Sequence, residues 1–491
     1  MRYLSGTDTQ MLYTDGPNSM NMIAPIGIFD PSTAPGGKVE FEDVLTYISD
    51  RLHLSSSFRE RLVRVPLGLD RPLWINDADF DLEYHVRELA LPAPGDWRQL
   101  TTQIARIGAR PLDLSRPPWE LYIIHGIDSA PRIPEGSFAM MLKLHHAAVD
   151  GVAGAELVTA LMQPTAKSTI EPVVDDWKPE KKPSGMEMLT RGGAQTVLRP
   201  VKSARLILRT VGGVPGAMKG FARPQKEAPK LGSSAATRFN KMVSPHRVWD
   251  LVHFDLADVK AVKNAVPGAT VNDVAVTVVA GAIRRYLDAN GELPESTLNA
   301  IMPISTRPTA TQKSAPGAPH GISGGGGGGN RFVMTMIPVA TEVADPLERI
   351  MLVKRSTAKA KDYGTGMLDL VQTVELIPGA LVGSVQRALT RTIAARGRAT
   401  GAHVVVTNVP GPRVPMYFAG AKCAAYSGMA PIADGVGLIV AIGGYCDDFS
   451  ITFTCDRDMM PDPEFFADCL RAEYDALRAA AFDAKNERGK G

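Results

Sequence analysis

Residues 138–151 constrain the fold more than any other part of the sequence. From Phe138 to Leu144, apolar side chains alternate with smaller or polar ones, which is the period of a β-strand. The strand runs into His145 and His146, and an aspartate and a glycine follow in a tight turn. Because neighbouring side chains on a strand point to opposite faces, we expect His146 on the apolar, buried face and His145 on the face shared with Lys143. Two histidines that point apart argue against a shared metal site.

The length of 491 residues is too great for one hydrophobic core and predicts two domains with a connection between them. Strand and helix patterns intermix up to about residue 165, and they resume after residue 241. Strand patterns lie at residues 22–29, 61–74, 80–89, 248–256 and 436–455, the last of them a hairpin, and helix patterns lie at 97–109, 152–162, 270–286 and 463–481. The helix at 270–286 is apolar nearly all round, so we expect it to be buried. The sequence therefore predicts an α/β fold with an N-terminal domain at 1–165, a linker at 166–241 and a C-terminal domain at 242–491. The apolar fraction of 44% and the charged fraction of 22% suit an ordinary globular protein.

The predicted linker is rich in Pro, Lys, Arg and small residues, and its basic side chains outnumber the acidic ones. We interpret it as a solvated connection. The alternative is a foothold on an anionic membrane or a lipid droplet, with residues 197–211 as a basic amphipathic helix. Six consecutive glycines, Gly324–Gly329, lie in a later loop, and a strand pattern rather than a helix follows them. They therefore indicate a flexible loop and not a phosphate-binding loop.

Charge, cysteine content and hydropathy indicate which partners and which cellular compartment suit the chain. A formal net charge of +2 makes no case for nucleic acid as a partner. The four cysteines have no metal-like spacing, and free thiols in a reducing cytosol are the simplest interpretation. The first residues lack the apolar core of a signal peptide, and no apolar run reaches the roughly 18 residues of a membrane span. We expect a cytoplasmic protein whose membrane or lipid-droplet contact, if there is any, is peripheral.

The two histidines form the candidate catalytic group together with Asp150 and Gly151. A buried histidine beside a carboxylate suits a general base, because a pKa of about 6.5 leaves it neutral at working pH. Asp150 would orient that histidine or hold the turn, and Gly151 would allow a backbone approach that a side chain blocks. The residues alone also fit a strand-end histidine that a turn aspartate merely caps.

Six short blocks, spread along most of the chain, together resemble one known family. They are Leu4-Ser-Gly-Thr-Asp8, Pro117-Pro-Trp119, His145-His-Ala-Ala-Val-Asp-Gly151, Asn272-Asp-Val274, Pro303-Ile-Ser-Thr-Arg307 and Thr407-Asn-Val-Pro-Gly-Pro412. The third block resembles the HHxxxDG motif of acyltransferases with the chloramphenicol acetyltransferase-like fold. The set resembles the bacterial wax ester synthase/acyl-CoA:diacylglycerol acyltransferase family. Pro118 stands where the family has Leu, Thr407 stands where Ser is common, and the glycine run departs from the family pattern.

The resemblance implies two acyltransferase-like domains, with mixed sheets flanked by helices and a substrate tunnel between them. His146 would take the proton from an acceptor hydroxyl, whose oxygen would attack the thioester carbonyl of an acyl-CoA. His145 would support His146, and Asp150 would orient the group rather than carry a proton. The implied substrates are a long-chain acyl-CoA and either diacylglycerol or a long-chain fatty alcohol. No metal and no cofactor is implied besides acyl-CoA as co-substrate.

On the same resemblance, five further residues are candidates for substrate binding: Trp119, Asn272, Asp273, Arg307 and Asn408. Asn272 and Asp273 fall in the first turn of a predicted helix, where the Asn272 amide faces the site or caps the helix. Trp119 opens a strand, where packing is the simpler role. Arg307 would pair with the turn aspartate or with a CoA phosphate, and Asn408 would shape the cleft.

The predicted function is O-acyl transfer, as in triacylglycerol or wax ester synthesis, and two other functions compete with it. A member of the same fold without turnover would bind acyl chains and yield no ester. A condensation-type acyltransferase would prefer an acyl group on a phosphopantetheinyl carrier protein, although no carrier sequence adjoins the predicted domains. The sequence does not set the acceptor, the acyl chain length or the oligomeric state.

Overall fold

The computed structural model describes residues 2–66, 70–148, 158, 160–167, 177–188, 235–305, 332–366, 379–409 and 411–488. The strands are β1 (Arg2–Tyr3), β2 (Met22–Asp30), β3 (Glu60–Val63), β4 (Leu73–Asn76), β5 (Val86–Ala90), β6 (Trp119–Ile127), β7 (Ser137–His145), β8 (Arg247–Asp255), β9 (Asn299–Ser305), β10 (Phe332–Pro338), β11 (Val404–Asn408), β12 (Tyr417–Phe418), β13 (Ala421–Met429), β14 (Leu438–Tyr445) and β15 (Asp448–Asp456). The α-helices are α1 (Gly6–Thr14), α2 (Phe41–Ser49), α3 (Leu82–His85), α4 (Trp97–Ala109), α5 (Leu256–Ala265), α6 (Val271–Ala289), α7 (Pro346–Gly366), α8 (Gly379–Ala395) and α9 (Pro463–Arg488).

The N-terminal sheet contains the strand predicted at residues 138–144. Its order is β12-β13-β2-β7-β6-β5, so β7 lies in the middle, antiparallel to both β2 and β6. One face of β7 packs against Val44 and Ile48 of α2, and the other face packs against Leu100 and Ile104 of α4. Because helices cover both faces, every residue of β7 is buried.

Two strands of this N-terminal sheet come from the second half of the chain. β12 and β13 form an antiparallel hairpin, and β13 pairs with β2 from Lys422 opposite Asp30 to Met429 opposite Ala24. The sequence does not predict this hairpin, because β13 is rich in Ala, Ser and Gly, which favour strands weakly. The division at 1–165, 166–241 and 242–491 stays a prediction, and the hairpin crosses it.

The C-terminal sheet has the order β10-β9-β11-β14-β15-β8. β11 runs parallel to β9 and β14, and the other pairs are antiparallel. The hairpin predicted at residues 436–455 is confirmed, since β14 and β15 pair along their whole length. The predicted burial of the helix at residues 270–286 is also confirmed, because every residue from Asp273 to Ile283 of α6 is buried. Helices α5, α7 and α9 join α6 in this core.

Two strand predictions in the N-terminal half are wrong in part. Residues 80–89 begin with α3, because the Asp81 carboxylate accepts the N–H of Glu83 at 3.1 Å and caps a single helical turn. Only β5 remains as a strand there. Residues 61–74 hold two strands, β3 and β4, which pair with each other and form a separate three-stranded sheet with β1.

The two halves share a packed seam. Trp97 of α4 donates its Nε1–H to Asp250 Oδ1 of β8 at 2.8 Å, and burial raises the pKa of that carboxyl group. Trp249 of β8 lies in the same apolar cluster as the core of α4. At another point Arg132 Nη2 donates to Asp448 Oδ1 at 2.9 Å. The two tryptophans thus hold α4 against β8, and the Arg132–Asp448 bond joins the segment before β7 to the start of β15.

Helices α1 and α8 pack closely beside the turn that follows β7. A Cβ at Gly383 would overlap the carbonyl oxygen of Gln10, so only glycine permits this approach. Gln10 Nε2 donates to Gln386 Oε1 at 2.8 Å, and Arg387 donates to the carbonyl of Asp15 at 2.5 Å. The C-terminal half thereby supports the end of α1.

All four cysteines carry free thiols. Cys423, Cys455 and Cys469 are buried, and Cys446 is half-buried. Burial raises the pKa of each of these thiols, so they stay protonated near neutral pH. Among the helices of the described ranges, none is both long enough and apolar enough to cross a bilayer.

Candidate active site

The candidate site lies where β7 ends. His145 is the last residue of the strand, and a 3-10 turn at His146–Ala148 follows it. The backbone N–H of His145 donates to the carbonyl of Pro118 at 3.0 Å, and that of His146 donates to the carbonyl of Asn21 at 2.7 Å. Two neighbouring segments therefore fix the backbone of both histidines.

The two histidines differ in burial, and His145 is the more buried of the two. His145 is fully buried, because it belongs to a central strand that helices cover on both faces. His146 is half-buried, because the chain leaves the sheet here and strand alternation no longer sets the direction of its side chain. The expectation that His146 lies on the buried face of the strand therefore does not hold, and different roles for the two histidines stay a prediction.

A carboxylate that the sequence analysis missed holds the His145 ring. Nε2 of His145 lies 2.9 Å from Oδ2 of Asp15, and Nδ1 of His145 accepts the N–H of Ala147 at 3.1 Å. Because Nδ1 is an acceptor, the proton of the neutral ring is on Nε2 and points at the carboxylate. Asp15 precedes His145 by 130 residues, and no spacing rule links them. With both nitrogens engaged, His145 is not available as a base.

His146 has the surroundings of a general base. Burial lowers the pKa of its imidazole, its own backbone opposes this shift in part, and neighbouring His145 adds to it. A lowered pKa keeps the ring neutral at pH 7 and able to accept a proton. Within the described part of the chain, no hydrogen-bond partner reaches the buried Nδ1 of His146.

Trp119 belongs to the core beside the site. Its Nε1–H donates to the carbonyl of Phe58 at 2.8 Å, and its ring stacks on His85 with 4.5 Å between centroids. It pairs with Leu144 across β6 and β7, so it lies one strand from the histidines. These contacts favour the packing role, and its role in substrate binding stays a prediction.

The structure brings Asn272 and Asn408 together. Asn408 Nδ2 donates to Asn272 Oδ1 at 3.3 Å, which joins the start of α6 to the end of β11. Asn408 is exposed and Asn272 is half-buried, so both amides are accessible. Thr270, and not Asn272, caps the helix, since the Thr270 side chain accepts the N–H of Asp273 at 3.1 Å.

Asp273 is engaged within the protein. Its Oδ2 accepts the N–H of Thr270 at 2.9 Å and the hydroxyl of Thr270 at 2.7 Å, which completes a capping box. Its Oδ1 accepts the hydroxyl of Thr357 from α7 at 2.7 Å. These bonds fix the start of α6, and the predicted contact of Asp273 with substrate stays a prediction.

Residues 407–409 and 411–412 of the block pack against the hairpin of β14 and β15. Val409 N–H donates to the carbonyl of Ile442 at 2.8 Å, and Cys446 N–H donates to the carbonyl of Pro412 at 2.9 Å. A Cβ at Gly411 would overlap the carbonyl oxygen of Gly444, so the close approach requires glycine. These contacts fix the position of the backbone next to Asn408.

Several predicted features lie outside the described residues. They are Asp150, Gly151, Arg307, the Gly324–Gly329 run, and residues 168–176 and 189–234 of the predicted linker. The helix predicted at 152–162 is described only at residues 158 and 160–162. The roles proposed for Asp150, Gly151 and Arg307 stay predictions.

A buried charged cluster lies on the sheet face of His145. Lys143 Nζ is 3.4 Å from Glu120 Oε2, and the hydroxyl of Tyr122 donates to the same oxygen at 2.8 Å. Burial lowers the pKa of Lys143 and raises that of Tyr122. Lys143 also borders a small cavity between the two halves, which His146 does not line. The tunnel implied by the resemblance therefore stays a prediction.

Solved acyltransferase structures share this architecture. The chain matches a wax ester synthase/diacylglycerol acyltransferase from Marinobacter aquaeolei VT8 with a TM-score of 0.66 at 22% identity, covering 98% of this chain and 100% of that one. It matches a trichothecene 15-O-acetyltransferase from Fusarium sporotrichioides with a TM-score of 0.54 at 10% identity, covering 97% and 94%. These matches define the class: a two-domain α/β fold with mixed sheets that acyltransferases use.

Family comparisons narrow the class. The family model described as the wax ester synthase/diacylglycerol acyltransferase catalytic domain matches residues 4–275, and that of the WS/DGAT C-terminal domain matches residues 328–478. A protein of Mycobacterium tuberculosis (strain CDC 1551 / Oshkosh), provisionally named a diacylglycerol O-acyltransferase, is 32% identical over 495 residues, which cover 98% of each chain. The chain therefore belongs to the wax ester synthase/diacylglycerol acyltransferase family, and it is an acyltransferase.

Proposed function

We propose that this chain transfers a long-chain acyl group from acyl-CoA to the hydroxyl of diacylglycerol or of a fatty alcohol, with His146 as the general base. One observation carries the proposal. His146 is a half-buried histidine of lowered pKa at the end of a central strand, and the ring of its neighbour His145 is already engaged. The names of the family and of the relatives support the two acceptor classes.

In the proposed reaction, His146 takes the proton of the acceptor hydroxyl while the hydroxyl oxygen attacks the thioester carbonyl carbon. A C–O bond forms, the tetrahedral intermediate collapses and the C–S bond breaks. The CoA thiolate then takes the proton from the imidazolium, which returns His146 to its neutral form. The products are one ester and one free thiol, and the scheme needs no cofactor besides acyl-CoA as co-substrate.

General-base catalysis supplies only part of the rate. A positioned base contributes typically about 10²–10⁴-fold, so alignment of the substrates and stabilisation of the oxyanion must supply the remainder. Asn272 and Asn408 present accessible amides on the C-terminal half, and we include them in the proposal as polar contacts to substrate. Trp119 shapes the strand beside the histidines by packing.

The His146→Ala variant tests the proposed base. We expect thiol release from a long-chain acyl-CoA, with diacylglycerol or fatty alcohol present, to fall by about 10²-fold or more, because proton abstraction is lost. His246→Ala removes an exposed histidine, and as the matched control it should keep the wild-type rate. Undiminished release from His146→Ala would contradict the proposed base. Mass spectrometry of the ester, with both acceptors supplied together, identifies the preferred alcohol.

The same assay separates the competing functions. Saturable binding of acyl-CoA without any ester product would indicate a lipid-binding member of the fold. A rate that is higher with an acyl group on a phosphopantetheinyl carrier protein than with free acyl-CoA would indicate a condensation-type acyltransferase.

The proposed acceptors are lipids, and α8 carries a surface that suits a lipid interface. Leu381, Val385 and Leu389 stand four residues apart on one face of α8, and they are 58%, 57% and 60% exposed. Arg396 and Arg398 follow at the end of the helix and are exposed. An apolar stripe beside arginines complements the anionic surface of a membrane or a lipid droplet. We therefore include peripheral docking through α8 in the proposal.

Vesicle binding tests the docking surface. Replacing Leu381, Val385 and Leu389 by Ser should lower the protein fraction that co-sediments with phosphatidylglycerol-containing vesicles, because the apolar contact is lost. Leu54→Ser, at a leucine that is 38% exposed elsewhere, is the matched control and should bind like wild type. Undiminished binding of the triple variant contradicts docking through α8. Wild-type self-association that the triple variant loses would assign the stripe to a second copy of the chain instead.

A further inference from the structure

We infer that Asp15 is a positioning residue, which holds His146 in place through His145 and through Asn21. The inference rests on the proposed role of His146 as the base. Asp15 follows α1 as its C-terminal cap, and its side chain is 11% exposed. Each of its carboxylate oxygens is connected through one other residue to a backbone N–H. Oδ2 is connected through the His145 ring to the N–H of Ala147, and Oδ1 is connected through Asn21 to the N–H of His146.

Two chains of hydrogen bonds, which we call arms, lead from Asp15 to the backbone around His146. The first arm runs through the ring of His145. Oδ2 of Asp15 requires a hydrogen on Nε2 of His145, 2.9 Å away, and this choice leaves Nδ1 as an acceptor. Nδ1 accepts the N–H of Ala147 at 3.1 Å, and that N–H belongs to the peptide group directly after His146. If Nδ1 carried the proton instead, two hydrogens would face each other and the turn would lose this bond.

The second arm runs through Asn21. Oδ1 of Asp15 accepts both the backbone N–H and the side-chain Nδ2 of Asn21, each at 2.9 Å. The carbonyl of Asn21 accepts the N–H of His146 at 2.7 Å. Asn21 Nδ2 also bonds the carbonyl of Met11 at 3.0 Å and the Thr14 hydroxyl at 2.9 Å, which anchors the arm to α1.

The two arms hold the backbone on both sides of His146. Asn21 fixes the N–H of His146, and His145 fixes the N–H of the residue that follows it. The direction of the His146 side chain depends on these two peptide planes, since they determine φ and ψ at that residue. A base must reach its proton within about 2.6–3.2 Å, and a misplacement of about 1 Å costs roughly 10²-fold in rate.

Asp15→Asn tests the inference, because it keeps the shape and removes the acceptor capacity of one oxygen. We expect kcat to fall about 10–100-fold while KM stays within about threefold, since no substrate contact changes. Asp30→Asn is the matched control. Asp30 is the last residue of β2, and its side chain caps a short turn by accepting the N–H of Ser32 at 2.9 Å, so wild-type kcat is expected. An unchanged kcat in Asp15→Asn would overturn the inference.

A double-mutant cycle separates positioning from general stability. If Asp15 acts largely through His145, then Asp15→Asn should lower kcat much less in a His145→Gln background than in the wild type. Fully additive losses would overturn the route through His145. If Asp15→Asn does not fold, the Asn21→Ala variant tests the second arm in its place. A lowered kcat at constant KM supports the second arm, and wild-type kcat overturns it.

A spectroscopic measurement keeps the inference independent of turnover. In protein labelled with ¹⁵N-histidine, the Nε2–H signal that disappears in His145→Gln is that of His145. We expect Asp15→Asn to shift or abolish this signal, and an unchanged signal would overturn the inference. If the wild type releases no thiol with any tested acceptor, the proposed function fails, while this measurement still decides whether Asp15 sets the His145 tautomer.

Discussion

Two adjacent histidines differ here in the hydrogen-bond partners of their ring nitrogens. His145 is the more buried residue, and each of its ring nitrogens has a hydrogen-bond partner. His146 is less buried, yet its pKa is lowered and its ring is not tied to a carboxylate among the described residues. Burial alone would favour His145 as the base. The donors and acceptors at each ring nitrogen favour His146, the base that we propose.

The lowered pKa of His146 predicts a pH dependence. The base must be unprotonated, so kcat/KM falls when the pH falls through the pKa of the free enzyme. Burial moves this pKa below 6.5. We therefore expect kcat/KM to be largely retained at pH 6.5 and to fall with a one-proton slope at lower pH. Steady-state assays from about pH 4.5 to about pH 8, a range that brackets the ordinary pKa of histidine, measure kcat/KM.

His246→Ala serves as the control in this titration and should give the wild-type profile, because that side chain is exposed and distant in sequence from β7. An acid limb centred above pH 6.5 in the wild type, or an unchanged limb in the residual activity of His146→Ala, would assign the profile to a different group.

At the residue scale, sequence reasoning reaches the histidines and stops short of Asp15. The pair His145–His146 stands out because a strand pattern ends there. Asp15 and Asn21 lie in a loop with no periodicity, and they meet the histidines only because β2 and β7 are neighbours in the sheet. Which loop meets which strand end is a property of strand order, and a single sequence does not encode it locally.

At the scale of elements, the residues at the start of α6 stabilise the helix itself. Thr270 and Asp273 have the spacing of a capping box, and the structure contains both of its hydrogen bonds. The cap and the bond from Thr357 of α7 hold the first turn of α6 still. Asn272, inside that turn, is thereby presented to Asn408.

Gly281 in the middle of α6 allows α9 to approach. Glu473 of α9 lies against it and forms ion pairs with buried Arg349 and, at 2.9 Å, with Arg285. Alanine would favour the helix by about 0.5–1 kcal/mol, but its Cβ would overlap the Glu473 carboxylate. Breaking a buried ion pair costs about 3–5 kcal/mol. The clash therefore outweighs the gain in helix propensity.

We expect Gly281→Ala to lower the free energy of unfolding by about 2–4 kcal/mol, the difference between those two effects. Denaturant unfolding measures the change. Gly428→Ala is the control, since its Cβ would lie 3.6 Å from the nearest atom, the carbonyl oxygen of Ala24, and a change below about 1 kcal/mol is expected there. A stabilised Gly281→Ala protein would show that Glu473 yields without loss.

Elements with a clean period are those that the sequence predicts well. Helices α4 and α6 and strands β2, β8, β14 and β15 lie within a few residues of their predicted bounds. Helix α9 begins at its predicted residue and continues past residue 481 to Arg488. Helix α1 is amphipathic only weakly, and β13 contains small residues, so neither is predicted. Both form nevertheless, because packing against neighbouring elements rather than local preference determines them. Helix α1 ends at Asp15, which contacts His145, and β13 pairs with β2.

At the scale of the whole molecule, the described residues form two six-stranded sheets, besides the small sheet of β1, β3 and β4, and the two halves share a seam. A hairpin from the C-terminal half joins the N-terminal sheet. The length and the alternation of elements predict two α/β domains, and the structure confirms them. The seam through Trp97, Asp250 and Trp249 cannot be predicted from the sequence, because each of these residues fits the ordinary pattern of its own helix or strand. Long-range pairing is decided by the sum of many contacts, which a linear pattern does not display.

The hairpin of β12 and β13 has a consequence for the time at which this protein is completed. A ribosome finishes β2 and β7 long before it reaches residue 421, yet β13 is the neighbour that covers the outer side of β2. At about 5–20 residues per second, the delay lasts on the order of tens of seconds. Throughout that interval the nascent sheet presents an unpaired edge to other chains. The position of one hairpin thus sets how long the edge of β2 stays open to pairing with other chains during synthesis.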